Sequence, residues 1–357
     1  RVPLYLAFIA YFSILSCSEE QSLRTEVSLP KYTSASLDSV QTQPFLKNPI
    51  SMVANDSFLV VSNFKADTLF RVFSLPGCNY LGWFGMNGNG PREFLRASPQ
   101  GVRFYCNQLQ VDDRKKIYYL KFPKGSIHNN FIIKESFSIP GNLIPFNHVF
   151  RLDKEFICGV HRSRFSAQQS IDTFNINTYE IGSFVGYPDF GFKVPGKDKR
   201  AIYHLGQDVK PDRSMFALVY RYFPLLRIVD NKGNILHESY IKGLPEQIEF
   251  KNLGTGNTNL GYGICYYNYI RVTSKYIYLR YDPRKGKKVT ERRFESTPIG
   301  QLEVHIFKWN GQPVARIKLK KGTLSFAPSS DDRYLYCTNM YSIDKIYRYD
   351  LRKILES

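Results

Sequence analysis

From Asn48 onward the chain is written in short runs of Val, Ile, Tyr, Phe and Leu, each broken by Gly, Asn, Asp or Pro. No long window carries the 3.6-residue recurrence of an amphipathic helix, and apolar or aromatic runs bounded by turn formers are strand signals. The pattern predicts an all-β fold. Asn310-Gly311 separates Leu302 to Trp309 from Val314 to Leu319, and Asp230-Asn231-Lys232-Gly233 separates Leu225 to Val229 from Ile235 to Ile241. Both read as hairpins, with turns of the favoured primed type.

The runs also repeat. Ser57-Phe58-Leu59-Val60-Val61-Ser62-Asn63, followed by Thr68 to Leu75, aligns without a gap on Arg333-Tyr334-Leu335-Tyr336-Cys337-Thr338-Asn339, followed by Asp344 to Leu351. Ser214 to Tyr220 with Leu225 to Val229 repeats the unit with a one-residue slip, and Tyr276 to Tyr281 begins another copy. The spacings divide into steps of roughly 50 to 60 residues, which suits four-stranded propeller blades with generous loops. A six-bladed β-propeller is therefore predicted, with blades at 49–95, 96–140, 141–190, 191–243, 244–320 and 321–351. The last blade is one strand short. A closed ring removes exposed sheet edges, so an N-terminal strand, placed around Thr25 to Pro30, is expected to complete it.

Ahead of the blades, Val2 to Ile14 is an apolar run too short for a bilayer, which needs about 20 residues, and it ends in Leu15-Ser16-Cys17. The organisation read from this is a lipoprotein signal peptide over 1–17, a tether and closing strand over 18–44, and the propeller over 45–357. Leu15-Ser16-Cys17 after an apolar run resembles the lipobox of bacterial lipoproteins, which implies Cys17 as the lipidation site, with an ordinary secretory signal and an incidental cysteine as the alternative; two or three acyl chains at ~0.8 kcal/mol per buried CH₂ would anchor stably. Ser18-Glu19-Glu20 fits either a solvated tether or a surface-export signal. The other cysteines, Cys78, Cys106, Cys158, Cys265 and Cys337, are odd in number and lack metal-like spacing, so neither a disulfide framework nor a metal site follows. Cys106, Cys158 and Cys337 each end an apolar run, the ordinary place for a small buried side chain.

Charge changes the picture of partners. Lys and Arg number 49 against 31 Asp and Glu, a net +18, with clusters at Lys193 to Arg200, Arg284 to Arg293 and Arg316 to Lys321. Such a balance favours anionic partners: lipid headgroups, acidic glycans or an acidic protein face. No RRM, KH or zinc-finger pattern is present, and nucleic acid is not an expected partner.

Trp83 to Phe94 reads as a shaped loop leaving a strand end. Gly85, Gly88 and Gly90 permit unusual backbone, Pro91 fixes its own φ, Phe94 returns to the core, and Glu93 is placed to accept backbone N–H groups or pair with an arginine. A structural or binding loop fits better than a phosphate cradle, because the glycines meet Pro-Arg-Glu-Phe instead of Lys-Ser/Thr. Positions just after equivalent strands are expected to line one propeller face. These are Asn63, Arg162, Arg221, Arg280 and Asn339, together with His161 and His204. Arginines there would form a ring suited to bidentate carboxylate or phosphate recognition. Trp83, Tyr222 and Tyr281 are candidates for stacking on sugar rings from exposed positions.

The apolar leader ending in Cys17, the Gly-x-Gly-Pro-x-Glu-Phe stretch at Gly88 to Phe94, the aromatic blade strands and Phe307-Lys308-Trp309-Asn310-Gly311-Gln312-Pro313-Val314 together resemble the TolB-like six-bladed β-propeller lipoproteins of Gram-negative bacteria. The resemblance implies the fold and a cell-envelope location, at the outer membrane and facing either the periplasm or outward, and it brings no catalytic residues. No GxSxG elbow, HExxH pair, EF-hand loop or complete Walker A sequence is present. The expectation is a lipid-anchored, monomeric, non-enzymatic binding or scaffold module without cofactor, whose partner is an envelope protein or an anionic glycan. The alternative is a propeller hydrolase or lyase acting on a glycan or peptide, with catalytic groups drawn from separate blades.

Overall fold

The repeated apolar runs become strands buried on both faces. Phe58–Asn63, Gln108–Asp113, Met215–Tyr220 and Tyr334–Asn339 share one burial pattern, a half-buried first residue followed by five buried ones. Each is the second strand of its sheet and is sandwiched between neighbouring sheets, so continuous apolar character replaces the alternation of a half-solvated strand. The fold is that of a computed structural model describing residues 24–63, 66–95, 97–105, 107–113, 116–123, 125–139, 146–161, 169–191, 194, 199, 202–245, 264–290 and 293–356.

Six small antiparallel sheets are ringed round an axis, making a six-bladed β-propeller. The innermost strands, in blade order, are Pro49–Ala54, Ala97–Tyr105, Phe146–Arg151, Leu205–Val209, Ile264–Val272 and Thr323–Pro328. Hydrophobic clusters fill the wedges between blades. Val60, Phe70 and Phe84 of the first pack with Val102, Val111 and Leu120 of the second, and Ile228 and Leu226 of the fourth pack with Ile277 and Leu279 of the fifth. The ring closes through Met52, Leu59 and Val61 against Ala327, Tyr336 and Ile346, where the Thr338 hydroxyl also donates to the Pro49 carbonyl at 3.0 Å.

An N-terminal strand does complete the last blade, but not the expected segment. Ser36–Gln41 pairs antiparallel with Ser342–Asp350, whereas Arg24–Ser28 adds parallel to Ile235–Lys242, the outer strand of the fourth blade. Between them Tyr32 bridges to Arg316 on the fifth blade. Residues 24–41 thus form a belt around the rims of three consecutive blades. Ser36–Gln41 is mostly polar and exposed, and its pairing rests on backbone hydrogen bonds and on polar contacts from Asp38 to Arg348 and Gln41 to Asp344, which leave little hydrophobic signature.

The two hairpins form as strand pairs, with different turn chemistry. At Asn310-Gly311 only the glycine takes a positive φ, 79°, and the Gly311 N–H donates to the Lys308 carbonyl at 3.0 Å. A primed turn needs positive φ at its first central residue as well. This is a turn ending in a glycine bulge, which accounts for the register shift between Ile306 and Phe307.

Because strands alternate in direction, the starts of the inner strands, the ends of the second strands and the blade-to-blade connections share one end of the propeller, here called the loop face. The inner strands finish at the opposite end, the turn face. Of the basic stretch, Arg284 to Thr290 lies in the extension of the long strand Tyr276–Thr290 and Arg293 in its partner Arg293–Pro298, on the loop-face side.

Candidate binding channel

Side chains from the inner strands close the channel at its middle. Arg271, from the fifth blade, donates from Nε to the Met52 carbonyl at 2.8 Å and from Nη2 to Ser51 Oγ at 2.7 Å, both on the first blade. The Tyr269 hydroxyl accepts from the Met52 N–H at 3.2 Å and reaches the Phe326 carbonyl at 3.2 Å. Two cavities remain, and Arg271 lines both.

The loop-face cavity, 280 Å³, is lined by His204, Gln207, Arg221, Tyr267, Arg271 and Arg280 among others. Three of the sequence candidates, His204, Arg221 and Arg280, meet here. Arg221 is positioned by its backbone, whose N–H donates to the His204 carbonyl at 2.8 Å while its own carbonyl accepts from the Tyr266 N–H at 2.7 Å. Its Nε donates to Cys265 Sγ at 3.3 Å. Arg280 donates to the Leu324 carbonyl and pairs with Asp282 at 3.2 Å. Burial pulls the Arg280 guanidinium below its ordinary value, with Asp282 opposing. Arg221 and Arg280 at the mouth and Arg271 at the floor, against Asp282 paired with Arg280 and Asp208 4.0 Å from Arg271, leave an excess of positive charge facing a small cavity.

The other candidates lie elsewhere. Asn339 holds a turn, donating to the Lys321 carbonyl at 2.8 Å and accepting from the Tyr341 N–H at 2.9 Å. Asn63 is buried at the end of its strand and does not line the cavity. Cys17, Cys106, Arg162 and the side chain of His161 lie outside the described residues, as does most of Lys193 to Arg200. Arg221 follows a second strand, Arg280 lies within one and His204 immediately precedes an inner strand; all three reach the channel because second strands run toward, and inner strands start from, the loop face. Tyr222 and Tyr281 are only 7% and 4% exposed, which removes them as sugar-stacking surfaces; both fill gaps between strands. Trp83 is half-buried.

The glycine loop folds on itself. The Glu93 carboxylate accepts from the Gly90 N–H at 2.8 Å, and the Gly88 N–H donates to the Phe94 carbonyl at 3.1 Å. Phe94 is buried against Phe70, Tyr118 and Phe131, with ring centroids 6.0, 5.4 and 6.2 Å away, so it plugs the wedge between the first two blades. Gly85 sits at φ 72°, and a Cβ there would stand 2.7 Å from the Phe94 ring. Pro91 precedes Arg92, whose Nη1 donates to the Asn129 carbonyl at 3.0 Å and ties the loop to the second blade.

The turn-face cavity, 350 Å³, was not read from the sequence. Its buried charged lining comes from three inner strands, Arg103 of the second blade, Asp208 of the fourth and Arg271 of the fifth, with Asp56 at the rim. The signal was a charged residue near the end of an otherwise apolar run, as in Val102-Arg103-Phe104 and Ile270-Arg271-Val272. Arg103 stacks over the Phe150 ring at 3.8 Å. Burial raises Asp208 above the usual carboxylate range, against Arg103 and Arg271. Behind it, burial pushes Asp112 up to about 6 despite Arg103 and hydrogen bonds from Gln110 and the Val149 N–H.

A family model described as TolB-like 6-blade propeller-like matches residues 28–331. The chain belongs to this family. Among solved structures, this TolB-like propeller is similar to a DUF4221 family member from Bacteroides vulgatus, at 9% identity and TM-score 0.57, covering 89% of this chain and 96% of that one. It is also similar to a putative exported protein from Bacteroides fragilis, at 14% identity and TM-score 0.55, covering 91% and 99%. At these identities the likeness is one of fold. No curated protein matches the chain by sequence.

A hydrogen-bonded Tyr-His-Glu chain does occur in this TolB-like propeller. The Tyr267 hydroxyl donates to His305 Nδ1 at 2.8 Å, and His305 Nε2–H donates to Glu303 at 2.9 Å. Glu303 also accepts from Arg316 Nε at 2.5 Å and from the Tyr32 hydroxyl. Tyr267, His305 and Glu303 are all buried, and burial raises the Tyr267 hydroxyl well above its ordinary value, so it stays protonated. The network fastens the N-terminal belt to the fifth blade. Among the described residues no group of three His, Cys, Asp or Glu could hold a metal ion.

Proposed function

We propose that this TolB-like propeller is a lipid-anchored binding module of the bacterial envelope that captures an anionic partner, an acidic glycan or an acidic face of an envelope protein, at its loop face. The observation that carries this is the meeting of Arg221 and Arg280 with His204 around one loop-face cavity whose floor is Arg271. Guanidinium forks held by backbone and packing are preorganised for carboxylate recognition and lose little entropy on binding. The net charge of +18 supports capture of acidic partners, and the similarity in fold to a putative exported protein supports the envelope reading.

With Cys17 acylated, Ser18 to Leu23 would span at most about 20 Å. Arg24 pairs with Glu238 partway along the strand Ile235–Lys242 and runs toward the loop face, so the tether approaches from the turn-face side. That geometry turns the loop face away from the membrane and toward partners.

The test is affinity capture from detergent-solubilised envelope with the full chain as bait, beside Arg221→Ala and Arg280→Gln variants checked for native circular dichroism. Capture of an acidic protein or glycan by the parent, reduced at least about tenfold in the variants, is expected, since hydrogen bonds between charged groups contribute roughly 1.5–3 kcal/mol each. Undiminished capture by both folded variants removes the loop-face arginines from the site.

A further inference from the structure

The turn-face cavity carries a second reading, at a site that shares only Arg271 with the loop-face one. At 350 Å³ it stands near the lower end of small-molecule sites, about 300–1,000 Å³, and five blades contribute to its walls. Val53, Phe104, Val209 and Val272 supply apolar surface. The charges are of both signs. Asp208 lies between two guanidinium groups, yet its closest approach to Arg271, Oδ2 to Nη1, is 4.0 Å, beyond hydrogen-bond reach. Asp208 Oδ1 is occupied by the Val209 N–H at 3.0 Å. Arg271 commits its Nε, one Nη2 bond and a 3.3 Å contact from Nη1 to the Ile270 carbonyl, three of the five N–H groups a guanidinium carries. The Val272 N–H also donates to this carboxylate, so two backbone groups hold Asp208 in place while Arg271 stands close without a direct hydrogen bond. At the rim, Asp56 adds a second carboxylate.

A simple anion entering here would meet Asp208 and Asp56, and a simple cation would meet Arg103 and Arg271. Each is disfavoured by a buried like charge. We propose that the turn-face cavity binds a small zwitterion, a free α-amino acid with an apolar side chain, its carboxylate on Arg103 and Arg271, its ammonium on Asp208, and its side chain against Phe104, Val209 and Val272. A ligand bearing both charges satisfies both signs at once, and the apolar walls select the side chain.

Titration calorimetry of the full chain with the common L-amino acids tests this, using leucine, isopentylamine and isocaproate as a matched set that keeps or removes each charge. At least one apolar amino acid is expected to bind, with the amine and acid analogues about tenfold weaker or worse, because each forgoes one charged contact and brings its remaining charge up to a buried like charge. Ser274→Trp, an exposed change at the cavity rim that leaves the core untouched, should abolish binding. Asp208→Asn should erase the preference for amino acid over acid. No heat from any common amino acid with the folded protein, equal binding of isocaproate and leucine, or full affinity in Ser274→Trp would each overturn the assignment.

Discussion

Replacing Glu303 by Gln tests whether the belt is fastened by charge. Burial alone would raise this carboxyl, but hydrogen bonds from His305, Arg316 and Tyr32 outweigh it and draw it from 4.5 down to about 2. Glu303 is 1% exposed, so solvent screens little of this. At 1.36 kcal/mol per pKa unit the ionised form contributes about 3 kcal/mol to folding. A carboxylate whose folded pKa is depressed contributes fully above its unfolded value, and the contribution fades as pH falls from 4.5 through about 2. The parent should therefore exceed Glu303→Gln by about 3 kcal/mol near pH 7 and by about 1 kcal/mol near pH 3. Urea denaturation followed by tryptophan fluorescence reads this well, since Trp309, one of two tryptophans, is buried in the same blade and donates to the Thr273 carbonyl at 3.1 Å. A variant as stable as the parent near pH 7, or a deficit that does not change with pH, would refute the reasoning.

Three further outcomes follow from the same geometry. Gly85→Ala should destabilise by about 2–4 kcal/mol in the same assay, because it combines a positive φ with a Cβ 2.7 Å from the Phe94 ring, whose displacement would open the wedge. Asp112→Asn should stabilise by about 1–3 kcal/mol near pH 7 and have little effect near pH 4: a carboxyl whose folded pKa is raised to about 6 favours folding below its unfolded value and loses that contribution as pH rises through 6. Deleting the chain through Gln41 should leave Ser342–Asp350 as a bare edge, seen as faster amide exchange in that strand and as self-association, while unchanged protection there would show that the belt is dispensable.

The blades were legible because burial is encoded locally. Phe58 to Val61, Phe216 to Val219 and Leu335 to Cys337 each lie between two neighbouring sheets, and a strand covered on both faces must be apolar at every position wherever it sits in the ring. The same regularity brought Arg221 and Arg280 to one cavity, since both stand toward the loop-face end of a second strand. The glycine loop was readable as a shaped element for a related reason: Gly85, Glu93 and Phe94 satisfy one another within a few residues.

Closure and channel chemistry were decided only by tertiary structure. Ser36–Gln41 closes the ring through backbone hydrogen bonds and through polar side-chain bonds such as that of Asp38 with Arg348, 310 residues away, so its composition could not distinguish it from a tether. Tyr32 meets Glu303 across 271 residues, and Arg103, Asp208 and Arg271 come from three blades. Sequence by itself determined how each blade hides its apolar surface, a matter of neighbours. Which charges share the axis depends on where the ring brings distant strands, and only the closed propeller sets that.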